Sequence, residues 1–232
     1  MSDRYCDLCD EFSGGTRNTF SRIYAHDSKR RILLRSEEFV VIPSLGQIVE
    51  GYLLVVPTTH RTALGDIPDE SLEELRRLCG RVRAVLECEY GSCIFFEHGT
   101  RLADVGGCGV YHAHLHAFPF PSFLGDPVNS LRSKFPYREL GDLSEIKRQT
   151  EGLAAYLFYQ NSHAESYVFE TGVLPSQYVR KLLAEALNKD DWDWRTVGRE
   201  EQLLATISRL SNYFGIIPTS LGPKELSSDT HR

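Results

Sequence analysis

The chain has no apolar run approaching the roughly eighteen residues of a membrane-spanning helix. Its first residues, MSDRYCDLCDEF, lack the basic and apolar stretches of a secretory leader. These absences predict a cytoplasmic protein without membrane partners. Positive charge is also in short supply. Against 32 Asp and Glu stand 26 Lys and Arg, a net charge of −6 that argues against non-specific nucleic-acid binding but permits a local basic pocket for a phosphate. No internal repeat is visible, which argues against a duplicated architecture.

What is present is enough to build a core: 232 residues, 41% hydrophobic. The six cysteines show one motif. Cys6 and Cys9 form C-x-x-C, and Cys79, Cys88, Cys93 and Cys108 are scattered. In a reducing compartment C-x-x-C points to a metal or redox role rather than a structural disulfide.

After a polar, glycine-containing loop to about Ser28, residues 31–35 and 38–43 read as a hairpin, and GYLLVVP, residues 51–57, as a strand buried on both faces. Leu72, Leu75, Leu78, Cys79, Val82, Val85 and Leu86 recur at helical spacing, with Asp69 or Ser71 as cap and Gly91 as stop. SCIFFE, residues 92–97, follows as a strand. The order predicts an α+β domain over residues 1–125, an antiparallel sheet with one main helix. Residues 126–232 form a C-terminal extension: a short helix near 143–151, a hairpin over 154–170, a helix over 175–188 and a last amphipathic helix over about 200–213.

The stretch of greatest chemical interest is GGCGVYHAHLHAFPF, residues 106–120. Side chains of a strand alternate between faces, so His112, His114 and His116 share one face and Tyr111, Ala113, Leu115 and Ala117 the other. Such a row of imidazoles serves metal chelation, or nucleophilic and acid–base work. The motif HAHLHAF resembles the signature of the histidine triad (HIT) superfamily of nucleotide hydrolases and transferases. GYLLVVPTTH and FFEHG are similar to further segments of that superfamily, so the resemblance covers roughly residues 1–120.

The resemblance implies a zinc site made by Cys6, Cys9, His60 and His112. Two thiolates and two imidazoles are a sound tetrahedral set for a closed, structural ion. The alternative is a pair of ordinary thiols and a loop histidine. The resemblance further implies that His114 is the nucleophile at a nucleotide's α-phosphate and that His116 assists it beside the leaving group. Hydrolysis to a nucleoside monophosphate is the expected outcome. Transfer to an acceptor by the same intermediate, a directly metal-binding triad, or a non-catalytic zinc-stabilised nucleotide-binding protein are the alternatives.

Before the triad, many HIT hydrolases carry polar Gln and Ser or Thr side chains where this chain has Cys108 and Gly109. The approach FFEHG with GCGVY instead resembles galactose-1-phosphate uridylyltransferases, although those have glutamine where His116 stands. Glu97, His98, Cys108 and Gly109 are therefore candidate pocket residues, and Arg101 fits a pocket or a solvated loop equally. Ser176, Gln177 and Arg180 open the helix of PSQYVRK, whose free N–H groups favour an anion, though a plain helix cap explains them too. With the usual polar groups missing, the extension is expected to pack over the histidine face, within one protomer or across a homodimer, and to supply phosphate contacts from this helix start.

Overall fold

The computed structural model describes residues 5–24, 31–101, 110–172 and 174–215. Its centre is one antiparallel sheet in the order β1-β2-β3-β5-β4-β7-β8-β6. The strands are β1 (Leu34–Arg35), β2 (Phe39–Pro43), β3 (Leu53–Pro57), β4 (Cys93–Thr100), β5 (Leu115–Pro119), β6 (Tyr137–Leu140), β7 (Ala155–Gln160) and β8 (Ser166–Phe169). Helix and antiparallel sheet together make the α+β fold expected from the sequence.

The main helix, α3 (Asp69–Tyr90), ends at Gly91, whose φ of 89° is one that a side chain resists. Its apolar stripe, Leu72, Leu75, Cys79, Val82 and Leu86, packs on one sheet face against Val41, Leu53, Val55, Phe95, Leu115 and Ala117. The alternate residues of the same strands, Val40, Leu54, Phe96 and Phe118, face the other way. There they meet Leu8 of α1 (Asp7–Phe12) and Val179 and Leu183 of α6 (Tyr178–Ala186). A sheet apolar on both faces must be covered twice, and the C-terminal extension supplies much of the second cover.

The extension also lengthens the sheet. β7 pairs with β4 from Phe95↔Gln160 to Thr100↔Ala155, and β8 and β6 follow outward. The boundary expected at residue 125 thus coincides with no break in the sheet. Short helices α4 (Val128–Arg132) and α5 (Ile146–Gln149) lie along this excursion, and α7 (Glu200–Phe214) ends the described chain. Thr206 of α7 accepts from the Gly51 backbone N–H at 2.9 Å and donates to Gln47 at 2.6 Å, tying the last helix to the β2–β3 connection.

Some expectations need correction. The segment read as a loop to Ser28 holds two short helices, α1 and α2 (Thr19–Tyr24). Local side-chain bonds make them possible: the Cys9 N–H reaches Cys6 Sγ, Asn18 accepts from the Ser21 N–H at 2.8 Å, and Asp7 accepts from the Thr19 N–H at 2.9 Å. The exposed edge strand β6 had no strand reading, because YREL shows no apolar alternation and pairs only through β8. The strand over residues 51–57 starts two residues late, at Leu53. Gly51 has φ +82° and packs against the Tyr90 ring, where an added Cβ would lie 2.3 Å from a ring carbon.

One buried ion pair holds the N-terminal helices to the sheet. Arg31, 1% exposed, donates to Glu11 at 2.6 and 2.5 Å and to the Pro43 carbonyl at 3.0 Å. Removing one partner strands a buried charge, so Glu11→Ala should destabilise the protein by about 3–5 kcal/mol in chemical unfolding. The double variant Glu11→Ala, Arg31→Met should lose less. A single-variant loss below about 1 kcal/mol, typical of exposed pairs, would contradict this burial.

Candidate functional site

The three histidines divide between two neighbouring sites. The regular strand starts only at Leu115, so His112 and His114 precede it rather than sit within it. There the backbone leaves the ladder: the Ala113 N–H donates to the Arg61 carbonyl at 2.6 Å. Alternation nevertheless persists, since Ala113, Leu115 and Ala117 all face the α3 side.

His112 is fully buried and both its ring nitrogens are engaged. Nε2 donates to the Pro57 carbonyl at 2.8 Å, which leaves the Nδ1 lone pair directed at the cysteines. Nδ1 lies 3.3 Å from Cys6 Sγ and 3.5 Å from Cys9 Sγ, and His60 Nδ1 lies 3.4 Å from Cys9 Sγ. The four ligand atoms all fall within 4.8 Å of one another. Bonds of about 2.0–2.3 Å to one tetrahedral ion would hold N and S ligand atoms about 3.3–3.8 Å apart. Burial pushes the Cys9 thiol up to about 12, with Cys6 adding to the rise, and holds His112 neutral with a pKa near 4. Clustered thiols of this kind favour a cation between them. The C-x-x-C at the first turn of α1, the loop after β3 and the entry to β5 thus converge on a set that could hold one metal ion.

His114 and His116 instead line a cavity with about 690 Å³ of empty space, part of it open solvent at the mouth. His114 Nδ1 donates to the His112 carbonyl at 2.6 Å, so Nε2 is the ring's free acceptor. Burial lowers the pKa of His114 below the usual imidazole value, and the nearby Arg180 charge adds to that. His116 is stacked on Phe96 at 4.3 Å and 9°, and its Nδ1 is 2.7 Å from the Tyr52 hydroxyl. Burial drives its pKa well down, with His114, Arg180 and His98 contributing in the same direction. The two rings are 4.7 Å apart.

The candidate pocket residues part ways. His98 and Arg180 reach the cavity, as does the Gln177 side chain in part, although Gln177 is bonded to Asp193 at 2.7 Å and to the Trp194 N–H at 3.2 Å. His98 Nε2 accepts from the Val179 N–H at 3.5 Å, so it links β4 to α6, and burial holds its pKa near 4. Ser176 is absent from the lining and accepts from Arg195 at 3.2 Å. The start of α6 is not a free anion site either. Gln177 adopts φ +62°, the Tyr178 N–H is taken by Pro175, and that of Val179 by His98. Cys108 and Gly109 lie outside the described residues, as does most of the GCGVY segment that suggested a uridylyltransferase.

Glu97 is a correction. It neighbours His98 in β4, so strand alternation sends it to the opposite face. There it accepts from the Leu64 N–H and from the Tyr156 hydroxyl, each at 2.7 Å. Arg101 is on that side too, bound to Asp66 at 2.7 Å and to the carbonyls of Thr150 and Leu153. Sequence reasoning did not identify Arg31, Ser44, Tyr52, Phe96 or Trp194 as site residues. Phe96 was accessible by alternation from His98. The others reach the site only through tertiary packing.

Residues 17–122 match the family model described as "Scavenger mRNA decapping enzyme C-term binding". This segment, just under half of the chain, resembles the histidine triad superfamily. Similar solved structures include a HIT-like protein involved in cell-cycle regulation from Bartonella henselae with an unknown ligand (16% identity, TM-score 0.34, covering 38% of this chain and 65% of that one). A HIT family protein from Bacillus anthracis shows 16% identity and a TM-score of 0.39 over 51% of this chain and 74% of that one. A zinc-bound histidine triad family protein from Mycobacterium smegmatis shows 23% identity and a TM-score of 0.35 over 56% and 87%. At such identities the likeness is one of fold alone. The chain spans about two thirds of the Bartonella protein's length. No curated protein matches the chain.

Glu97 has a separate consequence, for stability. Burial raises its carboxyl from 4.5 to about 8, against the lowering effect of Tyr156, the Leu64 N–H and Arg101, while Asp66 adds to the rise. A folded-state value above the unfolded one means stability that is present below pH 4.5 and is lost as pH rises through about 8. Glu97→Gln should therefore become progressively more stable relative to the wild type as pH rises through this window, when the two melting curves are compared at each pH. A constant difference between the two proteins would show that Glu97 titrates normally.

Proposed function

We propose that the protein cleaves nucleotides or nucleotide conjugates at the α-phosphate through a nucleotidyl-histidine on His114, releasing a nucleoside monophosphate. The observation that carries this reading is the His114–His112 hydrogen bond. With Nδ1 donating to a backbone carbonyl, Nε2 carries the lone pair in a cavity that also contains the buried Arg180. In the first step Nε2 forms a bond to phosphorus, and the P–O bond to the leaving group breaks with its electron pair on the departing oxygen, which takes up a proton. In the second step water adds to phosphorus and gives up a proton, and the P–N bond breaks, returning its pair to Nε2. His116, beside His114 and oriented by Tyr52, stands where it can contact the phosphate or the leaving oxygen.

Cys6, Cys9, His60 and His112 would hold a zinc ion. Such a closed site supplies a cross-link between α1, the loop after β3 and the triad, and not a reacting centre. The wording of the matched family model adds a nucleotide conjugate of the mRNA-cap type to the substrates worth offering.

Incubation with a panel of nucleotides and conjugates, with and without a phosphate acceptor, followed by mass spectrometry of products and intact protein tests the chemistry. The wild type should yield a nucleoside monophosphate and a trapped adduct, and His114→Ala should lose turnover by at least about a thousandfold while melting normally. Normal turnover in His114→Ala would sink the mechanism. Separately, elemental analysis should find about one zinc per chain. Cys6→Ser and Cys9→Ser should each lose it and melt at a lower temperature. A metal-free native protein of equal stability would refute the zinc assignment.

A further inference from the structure

Two buried arginines line the cavity, and they differ in one respect. Arg31 is neutralised by Glu11. Arg180, 3% exposed, donates from Nε to the Trp192 carbonyl at 3.1 Å, from Nη1 to Ser44 Oγ at 3.2 Å and from Nη2 to the Gly46 carbonyl at 2.7 Å. All three acceptors are uncharged, and among the described residues Arg180 forms no salt bridge with a carboxylate. Buried charges are ordinarily paired, because dipoles alone replace hydration incompletely. A guanidinium has five N–H groups, more than these three acceptors and the neighbouring Tyr52 hydroxyl take up.

The position of this cation is tightly held. Its guanidinium carbon lies 5.1 Å from the centre of the Tyr52 ring, and Tyr52 is the residue bonded to His116. Gly46, which receives Nη2, has φ +54°, and a Cβ there would lie 2.5 Å from the Trp194 Cα and 2.8 Å from the Val197 carbonyl oxygen. The extension therefore contributes both Arg180 and the backbone that packs on its acceptor. The field of Arg180 also reaches the triad, where it opposes protonation of His114 and His116.

We propose that Arg180 is the phosphate-binding cation of the site, holding the charged oxygens of the phosphate presented to His114. This assignment rests on the nucleotide reading above and deepens it. It makes the C-terminal extension part of the substrate site of the same chain. It also places the phosphate contact on a side chain behind the first turn of α6, not on the helix N–H groups. A fixed guanidinium suits a phosphate because it presents paired donors without rearrangement.

Equilibrium binding of a nucleoside monophosphate and of the matching nucleoside, measured by calorimetry, separates this idea from the broader one. The wild type should prefer the monophosphate. Arg180→Gln should weaken monophosphate binding by roughly ten- to a hundredfold with nucleoside binding unchanged, and Arg180→Lys should keep part of the preference. Because a buried arginine can be needed for folding, a crystal structure of the wild type with the monophosphate gives an independent reading. It should show a phosphate oxygen in hydrogen-bond contact with Arg180. Undiminished preference in a folded Arg180→Gln, or a phosphate bound away from Arg180, would overturn the inference and leave the nucleotide reading standing. A wild-type protein that binds neither ligand would overturn both.

Discussion

His112 is the residue on which the rest of the site depends. One ring nitrogen is tied to the end of β3 through Pro57, and the other faces the two cysteines. Its carbonyl receives the His114 N–H. A single buried residue thus sets the tautomer that points its own lone pair at the two cysteines, the tautomer that leaves His114 Nε2 free, and the place where the chain leaves the ladder. Because each bond constrains the next, the cysteine cluster and the His114 ring are positioned together.

The sheet is the second constraint. Its strands are apolar on both faces, so each face requires a cover. α3 provides one from within the first half of the chain. The second comes from α1 and from α6 of the extension, which closes over His98, His114 and His116. The cavity is therefore walled by residues far apart in sequence, and burial in it depresses the basicity of all three imidazoles. Depressed basicity suits a nucleophile, since an imidazole must be unprotonated to attack.

The extension would look like a separate module if judged by sequence distance. Physically it continues the sheet through β7 and carries Arg180 back to the β2–β3 connection. Without it the edge of β4 and the apolar face around Leu54, Phe96 and Phe118 would be exposed. Exposed edges and apolar sheet faces favour aggregation, so the extension covers surfaces that the first half of the chain leaves open.

Several features were determined by the sequence alone. α3 followed from its apolar spacing and Gly91, the buried β3 from an unbroken apolar run, and the triad from a two-residue period. The convergence of Cys6, Cys9, His60 and His112 was legible through the family resemblance, and the structure brings those four side chains together. Local periodicity reports which face a side chain takes, but not which distant element covers that face. Only the tertiary structure could therefore decide that Glu97 turns away while His98 turns in, that the start of α6 is already bonded, and that Arg180 is buried with uncharged hydrogen-bond acceptors. Burial and pairing are properties of what packs against a residue, and here the packing partners lie as far off as Ser44 and Gly46 are from Arg180.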